Sequence, residues 1–75
     1  ANDKALFTYR LSKDENGLLE IYSIVGYKAA SYPLSPKQNQ LYLSFENFEN
    51  GIYLYRFTIN GELEEEGKLV IINSK

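Results

Sequence analysis

Apolar and polar side chains alternate with period two along almost the whole chain, the pattern of strands with one face buried and one face wet. Ala5, Phe7, Tyr9 and Leu11 fall on one face of the first segment, with Leu6, Thr8 and Arg10 opposite. Ser12 to Gly17 is polar and ends in glycine, which suits a link between antiparallel strands. Leu18 to Val25 reads as the second strand, with Leu19, Ile21 and Val25 facing one way. Gly26 interrupts it, and a bulge or tight turn there returns Tyr27 to Tyr32 as a third strand. Pro33 and Pro36 assign the next stretch, up to Asn39, to a loop, because proline offers no ladder donor.

The second half repeats the theme. Leu41 to Phe45 alternates again, and Glu46 to Asn50 is polar apart from Phe48. Ile52 to Ile59 is the strongest strand. Tyr53, Tyr55, Phe57 and Ile59 share one face, while Ile52 and Leu54 make the other face apolar at its start. Asn60-Gly61 is a type I′ hairpin pair, since both residue types tolerate positive φ. Glu62 to Ile72 is then the partner strand, ending in the apolar run Leu69-Val70-Ile71-Ile72. The one helical candidate, Glu62 to Lys68, contains Gly67 and follows a hairpin signal, so no helix is expected. Six strands at about ten-residue spacing predict an all-β, antiparallel sandwich, because a single sheet would leave its Tyr-rich faces wet. Ile52 to Ile59 and Lys68 to Ile72, the most apolar strands, are expected to be central.

Composition narrows the function. Seventy-five residues make one small domain, and 44% hydrophobic content with seven Tyr and four Phe sets it apart from disordered tails. Cys and His are absent, which removes disulfides, zinc sites built on those residues, and Ser-His-Asp or Cys-His catalysis. A non-catalytic protein without a cofactor or metal is the expectation. The net charge of -2 argues against a nucleic-acid partner, which would need a basic surface. No apolar run is long enough for a membrane-spanning helix, and the polar opening Ala1-Asn2-Asp3-Lys4 is no signal peptide. The missing initiator Met reads as a piece of a longer chain.

Three clusters invite a chemical role and have a plainer explanation. Glu64-Glu65-Glu66 would need convergent oxygens to hold a cation or act in catalysis, yet neighbouring strand residues point to opposite faces. A solvated segment that discourages aggregation accounts for it better. Asp14-Glu15-Asn16-Gly17 resembles part of a calcium loop but lacks the remaining ligands, and reads as a turn. A flat row of exposed tyrosines drawn from Tyr9, Tyr22, Tyr27, Tyr32, Tyr42, Tyr53 and Tyr55 could stack on sugar rings, as in a carbohydrate-binding or adhesive accessory module. The alternative is that each ring covers a half-buried sheet face and keeps its hydroxyl wet.

Three segments carry a family resemblance. Leu19-Glu20-Ile21-Tyr22-Ser23-Ile24-Val25-Gly26-Tyr27-Lys28 resembles the "l-x-I-y-D-l-x-G-r-x" segment of type IX secretion C-terminal sorting domains of type A, with Ser23 for the usual Asp and Tyr27 for the usual Arg. Phe48 to Phe57, containing Gly51, Ile52 and Tyr53, is similar to that family's "L-x-x-G-x-Y-x-x-x-h" segment. Asn60-Gly61 followed by Lys68, Leu69, Val70 and Ile71 resembles its closing "n-G…K-l-v-i" strand, and Ala1-Asn2-Asp3 resembles the end of its opening "P-N-P-A-x-D". Ile72 to Lys75 extends slightly beyond the family's usual end.

The resemblance implies an immunoglobulin-like sandwich of six to seven strands, the seventh supplied by the opening segment. It implies a targeting role at the tail of a longer secreted cargo protein of a Gram-negative bacterium. The cargo would pass from the periplasm across the outer membrane and end secreted or on the cell surface. Implied partners are the upstream cargo domain, the outer-membrane translocon, a shuttle protein and a surface sortase that removes the domain. Gly26, Gly51, Tyr53, Lys68, Leu69, Val70 and Ile71 are the candidate recognition and fold residues. Two routes are open: the terminal strand is read directly by adding to a partner's sheet, or it is core and keeps in shape the loops near Gly26 and Gly51. An exposed edge would also let two copies pair as a homodimer.

Overall fold

The computed structural model describes residues 4–72. Ala1-Asn2-Asp3 and Asn73-Ser74-Lys75, which carry the opening of the family pattern and its extension, lie outside the described residues. Six strands follow in order: β1 (Lys4–Thr8), β2 (Gly17–Ser23), β3 (Lys28–Leu34), β4 (Gln40–Ser44), β5 (Gly51–Ile59) and β6 (Glu62–Ile71). They form two antiparallel sheets, β1-β4 and β3-β2-β5-β6, and no helix occurs among the described residues.

The two layers meet through the alternating apolar positions. Leu19, Ile21, Phe57 and Ile71 from the larger sheet join Leu43 and Phe45 into one buried cluster, with Phe7 packed against it. The inward alternation of the first segment continues past the last ladder residue of β1, so Tyr9 and Leu11 are also buried. Phe7 meets Phe57 edge-on at 5.3 Å between ring centroids, and the Tyr9 ring lies 6.4 Å from Phe57. Phe45, Leu19, Ile21 and Ile71 are almost completely withdrawn from water.

Turn chemistry closes the strands as the residue types demand. Asn60 and Gly61 adopt φ of 52° and 85°, the two positive angles of a type I′ turn. Asn60 also ties this hairpin to the β1–β2 link. The Asn16 amide donates to the Asn60 side-chain oxygen at 2.9 Å, and the Asn60 amide donates to the Asn16 carbonyl at 2.8 Å.

Four expectations are corrected. Lys68 to Ile72 is not central: β2 occupies the other side of β5, which leaves β6 at the edge, and the strand ends at Ile71. Val25 is not a core residue but is 79% exposed, because β2 stops at Ser23 and the chain turns. Pro33 lies inside β3 and not in a loop, a position open to it because β3 is an edge strand. The glutamate run does not simply alternate: Phe57 pairs with Glu65 and Thr58 with Leu63, so Glu64 is an extra residue in a bulge.

Replacing Asn60 with Ala should cost about 1–2 kcal/mol of stability, since it removes a hydrogen bond and places a Cβ-bearing residue with no compensating amide at positive φ. Asn60→Gly keeps the backbone and should cost less. Urea denaturation of the two variants would show this order.

Candidate recognition surface

The hairpin between β2 and β3 is a three-residue loop of Ile24, Val25 and Gly26. The Gly26 amide donates to the Ser23 carbonyl at 3.0 Å, and the Ser23 amide donates to the Tyr27 carbonyl at 2.8 Å. Gly26 has φ of 106°, so this is a tight turn closed by a left-handed glycine, and the residues before it are pushed outside the ladder. Gly51, with φ of 155°, opens β5.

Register brings the candidate residues to one end of the larger sheet. Ser23 faces Tyr53 across β2–β5, and Tyr53 faces Leu69 across β5–β6. Gly51 pairs with Ile71, Ile52 with Val70, and Leu54 with Lys68. The Gly26 turn caps the same end, immediately beyond Ser23.

These residues divide between two faces. Tyr53, Leu69 and Ile71 point into the sandwich. The Tyr53 ring lies 5.4 Å from Phe48, which lies 5.4 Å from Phe45, and its hydroxyl donates to the Glu49 carbonyl at 2.7 Å. Burial, then the nearby Tyr27 and Glu49, raises the pKa of this phenol above its ordinary value. Val70 and Lys68 point outward with Ile52 and Leu54. Ile52, Leu54 and Val70 are each more than two-fifths exposed, and Ile24, Val25, Tyr27 and Ile72 at the same end are more exposed still. So many large exposed apolar side chains at one end of a small domain are the usual mark of an interaction surface.

Charges frame this end. Lys28 forms a 3.0 Å ion pair with Glu20, which also accepts a hydrogen bond from the Tyr22 hydroxyl. The hydrogen bond and charge of Glu20 raise the Lys28 pKa above the ordinary lysine value. A shallow cleft of about 410 Å³ runs between Tyr27-Lys28-Ala29 and Asn47-Phe48-Glu49, with Tyr53 in its wall. Among the described residues, no three acidic side chains gather to hold a cation.

The tyrosines do not form a flat exposed row. Tyr9 and Tyr53 are buried, Tyr22, Tyr32 and Tyr55 are half-buried, and the exposed Tyr27 and Tyr42 belong to different parts of the fold, one beside the Gly26 turn and one on the smaller sheet. Ile24, Val25 and Ile72 carry much of the exposed apolar surface, and all three fall inside segments expected as strands, Leu18 to Val25 and Glu62 to Ile72. The spacing of a three-residue turn ending in Gly26 was the available signal for the first two.

A Cβ at Gly51 would meet nothing within 4 Å, so the cost of Gly51→Val is one of backbone conformation. It should amount to about 1–3 kcal/mol, read as a lower urea midpoint. The phenol of Tyr55 donates to Glu65 at 2.7 Å, and this bond raises its pKa above the ordinary value of 10.0. Tyr53 and, through burial, Tyr32 shift the same way. A raised folded-state pKa favours the protonated phenol, so its contribution to stability is present below about pH 10 and is lost as pH climbs through the raised values. The thermal midpoint should therefore fall above about pH 10 together with the appearance of phenolate absorbance.

Comparison with family models, curated proteins and solved structures gives no match to this chain.

Proposed function

We propose that this domain is a non-catalytic C-terminal sorting domain, carried by a cargo protein through the type IX secretion system and removed by a sortase at the cell surface. The ordered resemblance of its three segments to that family is the starting point. The observation that carries the reading is the convergence of those segments: the residues around Gly26, Gly51 and Lys68 to Ile71 meet at one end of one sheet, where apolar side chains stand in water. A signal read by a receptor needs such a surface, and leaving it exposed in the free domain is costly unless a partner covers it.

The two routes for the terminal strand merge in this geometry. Leu69 and Ile71 face the core and hold β6 on β5, while Val70 and Lys68 present the outward face. Deleting Lys68 to Lys75 removes the fully buried Ile71 and the partner of half of β5, so the truncated chain should unfold. Outward point variants separate recognition from folding.

Fused behind a periplasmic reporter, the 75-residue chain should bring that reporter to the cell surface only in a strain with an intact secretion system. The double variant Ile52→Ser with Val70→Ser should lower surface display several-fold while costing about 1 kcal/mol of stability or less. Display in a strain lacking the system, or full display of a folded double variant, would overturn the reading.

A further inference from the structure

The two sheets end in four strand edges, and they are not equally protected against pairing. Pro33 removes a donor from β3, and β6 carries the Glu64 bulge amid four glutamates. Beside β4, the residues from Lys37 to Tyr42 line a hollow of mixed polar and apolar character, with no comparable apolar cleft beneath it among the described residues. β1 has only Lys4 at its first position.

Hydrogen-bond parity shows what β1 offers. The Tyr9 amide donates to the carbonyl of Asn39, directly opposite in the register that pairs Thr8 with Gln40. In an antiparallel pair, bonded and non-bonded positions alternate. Phe7 and Ala5 therefore bond to β4, while the backbone groups of Leu6 and Thr8 point to the free edge.

Beneath that edge the sandwich is open. Two strands cover a four-stranded sheet, and a cleft of about 210 Å³ lies between β1, with Leu43 of β4, and the inner face of β2, β5 and β6. Ala5, Leu6 and Phe7 form its roof, and Tyr55 and Leu69 part of its floor. Its lining is almost wholly apolar. At one end of this floor the Tyr55 hydroxyl bonds Glu65, which places a carboxylate on the inner face of β6 with Glu62, Glu64 and Glu66 along the same strand.

We propose that the β1 edge is a strand-acceptor site, distinct from the apolar end of the larger sheet, and that it takes an extended peptide running antiparallel to β1. Alternate aliphatic side chains of that peptide enter the cleft above Tyr55 and Leu69. Main-chain bonds form to Leu6 and Thr8, and a basic residue near the peptide's N-terminus lies toward Glu65. The acidic β6 selects this charge, and the apolar cleft selects the alternation. A second copy of this chain fits less well, since its own four-stranded sheet would have to occupy the same side.

The probe is the synthetic peptide Lys-Thr-Val-Thr-Val-Thr, acetylated and amidated, whose Lys and Val side chains share one face, titrated into the 75-residue chain and followed by amide NMR. Binding should slow exchange of the Leu6 and Thr8 amides at least tenfold, with shifts reaching Tyr55 and Leu69. The same peptide N-methylated at alternate amides on its pairing edge should not bind. Replacing its Lys with Glu should weaken binding several-fold, and Glu65→Lys should reverse that preference. Unchanged Leu6 and Thr8 amides, equal binding of the methylated peptide, or shifts centred on Ile52 and Val70 would each overturn the proposal.

Discussion

The contact between the two sheets bears the weight of this fold. No disulfide can join the layers, because the chain has no cysteine, and the smaller sheet has only two strands. What holds it in place is the insertion of Phe7, Tyr9, Leu43 and Phe45 among Leu19, Ile21, Phe57 and Ile71. Aromatic rings suit this task because each buries a large area and pairs edge-on with its neighbour. Tyr9 adds a polar anchor, since its hydroxyl donates to the Ser35 carbonyl at 3.1 Å and fastens the β3–β4 link. A thin core of this kind must use nearly every inward position, which explains why the alternation is so regular.

The candidate surface is a by-product of that regularity. Once Tyr53, Leu69 and Ile71 are committed to the core, the intervening Ile52, Val70 and Lys68 must point to the other side. Ile52 and Val70 thereby stand as apolar side chains on a wet face, each about two-fifths exposed. Ile24 and Val25, which the Gly26 turn lifts out of the ladder, are more exposed still. Folding thus brings three distant stretches of chain to one end of the larger sheet, where large apolar side chains are exposed.

Much of the architecture was legible beforehand. Asn60-Gly61 specified its hairpin because both positive angles are available to those residues. The inward set on Ile52 to Ile59 followed from strict alternation, as did Ala5 to Leu11, where the face persists beyond the ladder. The misread segments have local causes. Val25 lies four residues beyond Ile21 and shares its phase, so periodicity could not show that the strand ends between them. Pro33 was excluded from strands by a rule that applies to interior ones. The bulge at Glu64 broke an alternation that polar residues could not reveal, since none of them is pulled inward by the core.

The chain's own pattern determined which side chains share a face and where turns interrupt it, because those depend on a two-residue period and on the backbone freedom of single residues. Only the tertiary structure decided the lateral order of the strands. An apolar run such as Leu69 to Ile72 looks the same whether it has one neighbour or two. The seat at the edge fell to it because β2 pairs with β5 on the opposite side, a choice made by contacts thirty or more residues apart in sequence. The edge position of β6 and the end of the sheet where the candidate residues meet both follow from that order, which no single strand's pattern contains.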